Sequence, residues 1–272
     1  MTIELPPLRD VIERYDLGAK KSLGQHFLLD LNITRKIARA GDTTSDDTIL
    51  EIGPGPGGLT RALLETGANV IAVERDARCV AALGDLSAAY PEKLQLFEDD
   101  ALSLDYSRLD LAGPIKIIAN LPYNISTELL MRWLKQGSDL WSVMVLMFQK
   151  EVSDRILALA GSKTYGRLSV ISQSASTPVR AFDLPARAFT PPPKIDSSVV
   201  RFDAPIAPLE NIAALERVTQ AAFSQRRKML RSSLKSVFGD NLAEILAAVG
   251  VKETQRAEEI SVEQFITLAK AL

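Results

Sequence analysis

The chain has 272 residues, 46% of them hydrophobic and 24% charged, with a formal net charge of −2; this suits one or two globular domains and shows no global signature of disorder. Its single cysteine and single histidine exclude a disulfide framework and a cysteine–histidine zinc site, so we expect no metal. No apolar run approaches the ~20 residues of a membrane span, and the first residues lack the apolar core of a secretory signal, so we expect a cytoplasmic protein without a membrane partner.

Short apolar runs alternate with helical patterns over the first half of the chain. Because the runs are rich in valine, isoleucine, leucine and phenylalanine, they predict strands that are buried on both faces. Strands that alternate with helices predict an α/β fold with a parallel, doubly wound sheet. The predicted strands are 48–52, 69–73, 94–97, 115–119 and 143–148, and the predicted helices are 58–66, 76–86, 126–135, 151–159 and 167–176.

Two further extended runs, 179–182 and 197–202, would complete a sheet of seven strands. The proline-containing segment 203–208 resembles a linker, and only helical patterns follow it. These predicted helices are 211–223, 226–238, 241–249 and 262–272. We therefore predict a large α/β domain over residues 1–205 and a small all-helical domain over residues 206–272.

A glycine-rich stretch, residues 51–60, follows the first of these strands and opens the next helix. Glycines such as Gly53 and Gly55 let the backbone turn sharply and approach a ligand closely. Glu74 ends the next strand, where its carboxylate can accept hydrogen bonds from ribose hydroxyls. This order predicts a site for a nucleoside-containing cofactor at the carboxyl edge of the sheet.

A dinucleotide is the competing interpretation, because the loop also matches the G-x-G-x-x-G pattern. However, two prolines in the loop remove backbone N–H donors that a pyrophosphate needs. Glu51, two residues before Gly53, suits the cationic aminoacyl end of S-adenosyl-L-methionine, and a carboxylate at 98–100 can accept from the adenine amine of that cofactor. The loop therefore favours S-adenosyl-L-methionine, and a glycine-rich turn without a ligand is the remaining alternative.

The fourth strand runs directly into a turn formed by Asn120, Leu121, Pro122 and Tyr123. Proline fixes this turn, so that the Asn120 amide oxygen and the Leu121 carbonyl can face one point near the cofactor. Two such acceptors would align with the N–H bonds of an exocyclic adenine amine and favour the pyramidal geometry of attack, while Tyr123 offers a stacking face. A buried asparagine in an ordinary proline turn is the alternative.

Eight motifs in order resemble the family of ribosomal RNA small-subunit adenine dimethyltransferases, and the resemblance spans nearly the whole chain. They are residues 21–28, 51–60, 120–123, 148–151, 165–168, 189–194, 196–199 and 223–228. The resemblance implies a Rossmann-like class I methyltransferase sheet with a small helical C-terminal domain. It also implies N6,N6-dimethylation of two adjacent adenosines near the 3′ end of small-subunit (16S) ribosomal RNA, within a partly assembled 30S subunit.

The resemblance also implies site residues, position by position. In such enzymes an N-terminal segment, here within residues 1–40, covers the cofactor. The contacts implied in that segment are Gln25, His26 and Leu28, and the other implied cofactor contacts are Gly53, Glu74, Asp100 and Asn120. The family's more usual residue at position 26 is asparagine, and histidine can still donate a hydrogen bond.

The target adenine must leave its stack to react, and we expect it to lie between Tyr123 and Phe189 during a direct in-line displacement. The alternative is that Phe189 anchors its loop by packing on the sheet. No base is required, because the amine becomes acidic once it is methylated and can lose its proton to water.

Charge along the chain is uneven: residues 42–110 hold 14 acidic and 5 basic side chains, and residues 180–237 hold 10 basic and 5 acidic. The predicted helix 226–238 carries a basic cluster that would position RNA through its phosphates, with Arg227, Arg231 and Lys235 on one face. The predicted RNA-binding residues are Arg226, Arg227, Lys228, Arg231 and Lys235. A solvated helix face is the alternative.

Three other functions compete with this prediction. They are a related enzyme that methylates large-subunit RNA and confers antibiotic resistance, a nicotinamide-dependent oxidoreductase, and a non-catalytic assembly factor that binds RNA. The motifs at 189–194 and 223–228 favour the small-subunit group, and the prolines of the loop disfavour the oxidoreductase. No apolar stripe in the sequence requires a dimer, so we expect a monomer.

Overall fold

The computed structural model describes residues 5–18, 25–109, 111, 113–206 and 209–272. This part of the chain forms two compact units. The first contains the described residues up to Lys150 together with Val179–Asp203, and the second contains Glu151–Pro178 and the described residues from Ala204 onward. None of the described helices is long and apolar enough to cross a lipid bilayer.

Seven strands form one sheet, and two short strands pair separately. The strands are β1 (Phe27–Leu28), β2 (Thr48–Ile52), β3 (Asn69–Glu74), β4 (Leu94–Glu98), β5 (Ile115–Ala119), β6 (Trp141–Gln149), β7 (Thr177–Leu184), β8 (Phe189–Thr190) and β9 (Ser197–Asp203). The sheet has the order β4-β3-β2-β5-β6-β9-β7, and β1 pairs with β8. Neighbours from β4 to β6 are parallel, whereas β9 is antiparallel to β6. The predicted seven-stranded α/β sheet is confirmed.

The first unit also contains helices between its strands and before them. They are α1 (Leu8–Arg14), α2 (Leu31–Ala40), α3 (Gly58–Leu64), α4 (Ala77–Ala89) and α5 (Ser126–Gln136). Asp30 and Asp76 begin α2 and α4 by accepting hydrogen bonds from backbone N–H groups two residues later. The central strands have to be apolar on both faces, and Leu50 and Ile117 are accordingly fully buried.

The parallel register brings the ends of the central strands to one edge of the sheet. Ile52 lies opposite Val73, and Glu74 lies opposite Glu98. The loops that follow β2, β3, β4 and β5 therefore leave from the same edge, which is where ligands bind in open α/β sheets.

The second unit is helical, and its core is built from both of its chain segments. Its helices are α6 (Lys150–Ile156), which begins at the last residue of the first unit, α7 (Arg167–Ala175), α8 (Ile212–Ser224), α9 (Leu230–Ser233), α10 (Lys235–Phe238), α11 (Leu242–Ala248) and α12 (Val262–Lys270). Tyr165 is buried in this core, where its hydroxyl donates to the Ile260 carbonyl at 3.0 Å. Residues 151–178, which the sequence placed in the large domain, thus lie in the helical unit because Tyr165 and Val170 contribute to its apolar core.

The predicted continuous helix 226–238 is wrong. A turn follows α8, Met229 is extended and bridges to Arg256, and two short helices, α9 and α10, come after it. The Leu230 and Arg231 N–H groups donate to the carbonyls of Gln255 and Glu253 instead of to a preceding helical turn. This tertiary pairing overrides the local helical pattern, so Arg227, Arg231 and Lys235 do not share one helix face.

Candidate active site

A cavity lies at the carboxyl ends of β2, β3 and β5 in the first unit. It is lined by every residue implied as a cofactor contact, from Gln25 before β1 to Asn120 after β5, and by the rest of the turn up to Tyr123. The first part of the N-terminal motif, residues 21–24, lies outside the described residues. Elements that are distant in the sequence thus meet around one space.

The glycine-rich loop fits closely beneath the segment that contains β1. Gly55 has a φ of +56°, in the left-handed region, and a Cβ there would lie 3.0 Å from the Phe27 ring. A Cβ on Gly58 would lie 2.5 Å from the Leu28 carbonyl oxygen. Glycine is therefore required at both positions for the loop and the 25–28 segment to enclose the cavity.

Glu74 is held by backbone donors at the end of β3. Its Oε2 accepts from the Gly55 N–H at 3.0 Å, and its Oε1 accepts from the N–H groups of Arg75 and Asp76 at 2.8 and 2.9 Å. Burial raises the pKa of Glu74, and these three donors oppose that rise. A carboxylate has about four lone-pair positions, so Glu74 is fixed in place and keeps room to accept a further donor.

Glu51 is the most deeply buried carboxyl group of the cavity, with 1% of its surface exposed. Burial, together with the negative charge of Glu74, raises the pKa of Glu51 to about 8. Its Oε2 has no hydrogen-bond partner among the described residues. A buried acceptor of this kind calls for a donor, and a cationic donor would also favour its ionised form.

Asp100 follows β4 and is oriented by two contacts. Its Oδ1 accepts from the Leu102 N–H at 2.9 Å, and its Oδ2 pairs with Arg75 Nη1 at 3.0 Å. Arg75 also lines the cavity, so one residue orients Glu74 through its backbone and Asp100 through its side chain. Arg75 was not among the predicted site residues, although a basic residue directly after Glu74 and the acids at 98–100 were the available signal.

The turn after β5 is anchored from two sides. Asn120 Nδ2 donates to the His26 carbonyl at 3.0 Å, which leaves Asn120 Oδ1 as a free acceptor site of the amide. The Tyr123 hydroxyl lies 2.6 Å from Ser197 Oγ in β9, and burial raises the pKa of this phenol. Ser197 was also missed, because nothing in the sequence indicates which residue of β9 reaches the turn.

Phe189 does not stand opposite Tyr123, as the sequence predicted. It pairs with Leu28 in the β1–β8 ladder, is 2% exposed, and packs in the apolar core of the first unit without lining the cavity. The alternative interpretation, a loop anchor on the sheet, describes its position. The predicted sandwich of the substrate base is therefore not formed by these two rings.

The five predicted RNA-binding residues lie in the second unit, and all are exposed. Arg226 differs from the others because its guanidinium donates to the carbonyls of Lys163 and Tyr165, both at 3.0 Å. It anchors the turn after α8, which Arg227 and Lys228 continue. Arg231 lies in α9, and Lys235 begins α10.

The chain is similar to known proteins over nearly its whole length. The model of the ribosomal RNA adenine dimethylase family matches residues 17–272. The chain is 54% identical to the ribosomal RNA small subunit methyltransferase A of Agrobacterium fabrum and 53% identical to the protein of that name in Rhizobium meliloti, with 98% of each chain covered in both cases.

Solved structures with the same fold include two that match most of the chain. A dimethyladenosine transferase from Plasmodium falciparum matches with a TM-score of 0.79 and 26% identity, covering 89% of this chain and 96% of that one. The 23S rRNA methyltransferase ErmE matches with a TM-score of 0.70 and 22% identity, covering 90% and 98% respectively. At that identity, the second similarity concerns the fold alone.

Proposed function

The chain belongs to the ribosomal RNA adenine dimethylase family, and we propose that it uses S-adenosyl-L-methionine to dimethylate N6 of two adjacent adenosines near the 3′ end of small-subunit ribosomal RNA. One observation carries the proposal: a single cavity joins acidic side chains at successive strand ends to the Asn120–Tyr123 turn. The first part suits a nucleoside with a cationic end, and the second suits an adenine amine.

The cavity residues fit this cofactor by their donors and acceptors. Glu74 keeps acceptor capacity for a ribose hydroxyl, Asp100 can accept from the adenine amine, and the unpartnered Glu51 Oε2 can accept from the ammonium group. When bound, the cofactor supplies a methyl group already activated by a sulfonium. No covalent intermediate with the protein is needed.

The turn after β5 supplies the acceptors for the substrate amine. Asn120 Oδ1 and the Leu121 carbonyl accept from its N–H bonds, which favours a pyramidal nitrogen with an available lone pair. Tyr123 offers its ring to the base, and such stacking is worth about 1–3 kcal/mol. Orientation of two reactants can supply roughly 7–11 kcal/mol, so positioning accounts for a large share of the acceleration.

In this proposal, the exposed basic residues of the second unit bind RNA. Arg227, Lys228, Arg231 and Lys235 are free to meet phosphates in water, and such contacts position RNA without reading its sequence. We propose a monomer that acts in the cytoplasm on a partly assembled 30S subunit. Exposure of these side chains supports the RNA contact, and the resemblance to the family supports the 30S context.

A methyl-transfer assay tests the proposal. Purified protein is mixed with labelled S-adenosyl-L-methionine and with small or large subunits isolated from cells that lack the protein, and the RNA is digested to nucleosides. We expect label as dimethyladenosine in small-subunit RNA only, and almost none with the Asn120→Ala variant. Label in large-subunit RNA alone would point to the resistance enzymes, and no label in either would point to a binding or assembly factor.

A further inference from the structure

His26 makes three contacts, which are with Pro191, Tyr123 and Asn120. Its Nδ1 lies 2.7 Å from the Pro191 carbonyl oxygen, its ring centroid lies 5.5 Å from that of Tyr123 with planes tilted by 30°, and its own carbonyl accepts from Asn120 Nδ2. Two of these contacts belong to the side chain, and two involve the turn after β5. We propose that His26 is a positioning residue for the Asn120–Tyr123 turn, and that its ring acts on methyl transfer beyond any contact that it makes with the cofactor.

The contact with Pro191 determines where the imidazole carries its proton. A carbonyl oxygen can only accept, so His26 Nδ1 must be the donor. In the neutral ring Nε2 is then an acceptor and has no proton to donate. An asparagine side chain at this position could turn either its NH2 group or its oxygen toward the cavity. The neutral histidine that donates from Nδ1 has only an acceptor, Nε2, left to offer.

The backbone of His26 selects the orientation of the Asn120 amide. If that amide were turned over, Asn120 Oδ1 would face the His26 carbonyl oxygen, and two acceptors would oppose each other. Donation from Nδ2 keeps Oδ1 as the acceptor. This consequence rests on the proposed function, in which Asn120 Oδ1 receives an N–H of the substrate amine.

The ring of His26 packs against Tyr123, whose hydroxyl has a hydrogen-bond anchor of its own. Ser197 holds the Tyr123 hydroxyl at 2.6 Å, while the imidazole packs against the aromatic ring. Because Pro191 tethers the imidazole in turn, the loop after β8 and the turn after β5 are linked through one side chain. Loss of the imidazole would free Tyr123 to rotate about its anchor and would misplace the stacking face for the base.

Nitrogen-15 NMR of the imidazole tests the hydrogen bond directly. The chain contains one histidine, so its two ring nitrogens give unambiguous signals in the full-length protein. In the neutral form of the ring, we expect a protonated Nδ1 and an unprotonated Nε2, because Nδ1 donates to the Pro191 carbonyl. A proton on Nε2 would overturn the proposal. This readout needs no turnover, so it stands apart from the proposed function.

Two variants separate the ring from the hydrogen bond. His26→Phe keeps an aromatic ring and loses the donor, and we expect kcat to fall about fivefold, the effect of one neutral hydrogen bond. His26→Ala loses both, and we expect a fall of roughly tenfold or more. For both variants kcat should fall by a larger factor than the Kd for S-adenosyl-L-methionine rises, and thermal unfolding establishes that they are folded.

The split between kcat and Kd decides the role. If the Kd rose by the same factor as kcat fell, the His26 side chain would act through cofactor binding. If kcat were unchanged in His26→Ala, the side chain would not position the turn. If the wild-type protein transferred no methyl group to any ribosomal RNA, the proposed function would fail, while the protonation of Nδ1 would still be decided by NMR.

Discussion

Replacing Glu51 with glutamine probes the buried end of the cavity, where we place the ammonium group of the cofactor. Glu51→Gln keeps the size and an acceptor oxygen but removes the negative charge. In the wild-type protein, burial and the charge of Glu74 raise the pKa of Glu51 to about 8. Before the cofactor binds, this carboxyl group is therefore mostly protonated at neutral pH. A cationic ligand favours the ionised form, and its binding should therefore release a proton.

The size of this effect follows from the raised pKa. At about pH 7, one unit below that pKa, ionising Glu51 costs ~1.4 kcal/mol, which weakens binding about tenfold. The cost falls as pH rises, so affinity should increase about tenfold from pH 6 to pH 7. The glutamine variant cannot ionise, so its affinity should be weaker near neutral pH and independent of pH. The affinity should be measured only up to about pH 7.5, because the α-amino group of the cofactor begins to deprotonate above that pH.

Titration calorimetry with S-adenosyl-L-methionine measures both quantities. Repeating it in two buffers of different ionisation enthalpy counts released protons, which should be about one for wild type at pH 7 and none for Glu51→Gln. Glu65→Gln is a matched control, because the Arg35 ion pair lowers the pKa of Glu65 and leaves it ionised throughout. A wild-type affinity that does not change with pH, or a variant that still releases a proton, would refute the assignment of Glu51.

Three further predictions concern the turn, the loop and the basic surface. Asn120→Ala should nearly abolish methyl transfer and leave RNA binding almost intact, because it removes an acceptor for the amine; equal losses in transfer and filter-binding assays would contradict that role. Gly55→Ala should lower the free energy of unfolding by about 1–3 kcal/mol, because Gly55 has a positive φ and lies close to the Phe27 ring. The control is Gly84→Ala in α4, where open space surrounds the position, and this substitution should be neutral or stabilising. Thermal denaturation measures both effects. Arg227→Ala should reduce the salt dependence of RNA affinity by about one phosphate contact without changing the melting temperature of the protein. Arg226→Ala should lower the melting temperature, because two backbone carbonyls lose their hydrogen-bond donor. Identical effects of the two substitutions would contradict this division of roles.

The sheet and most of the cavity were predictable from the sequence for a physical reason. Parallel strands covered on both faces read as continuous apolar runs, and β2 and β5 end within a residue of the predicted limits. Once the order of strands and helices is known, the residues after each strand must meet at one edge. Glu51, Glu74 and Asn120 were therefore assignable to one site before any coordinates.

Contacts between distant segments account for what the sequence did not predict. Phe189 became a core residue because β8 pairs with β1, and a two-residue ladder of this kind leaves no periodic signal. The helix predicted over 226–238 is broken because Met229 pairs with Arg256. In the same way, residues 151–178 belong to the helical unit because Tyr165 donates a hydrogen bond to Ile260, nearly a hundred positions later in the sequence.

The most direct test of the proposed function is the methylation state of small-subunit RNA in cells with the protein, without it, and with only the Asn120→Ala variant. Mass spectrometry of fragments from the 3′ end locates and counts the methyl groups. We predict two methyl groups on N6 of each of two adjacent adenosines with the wild-type protein, and unmethylated adenosines in the other two cases. The same methylation in all three would contradict the proposal that this protein modifies that RNA.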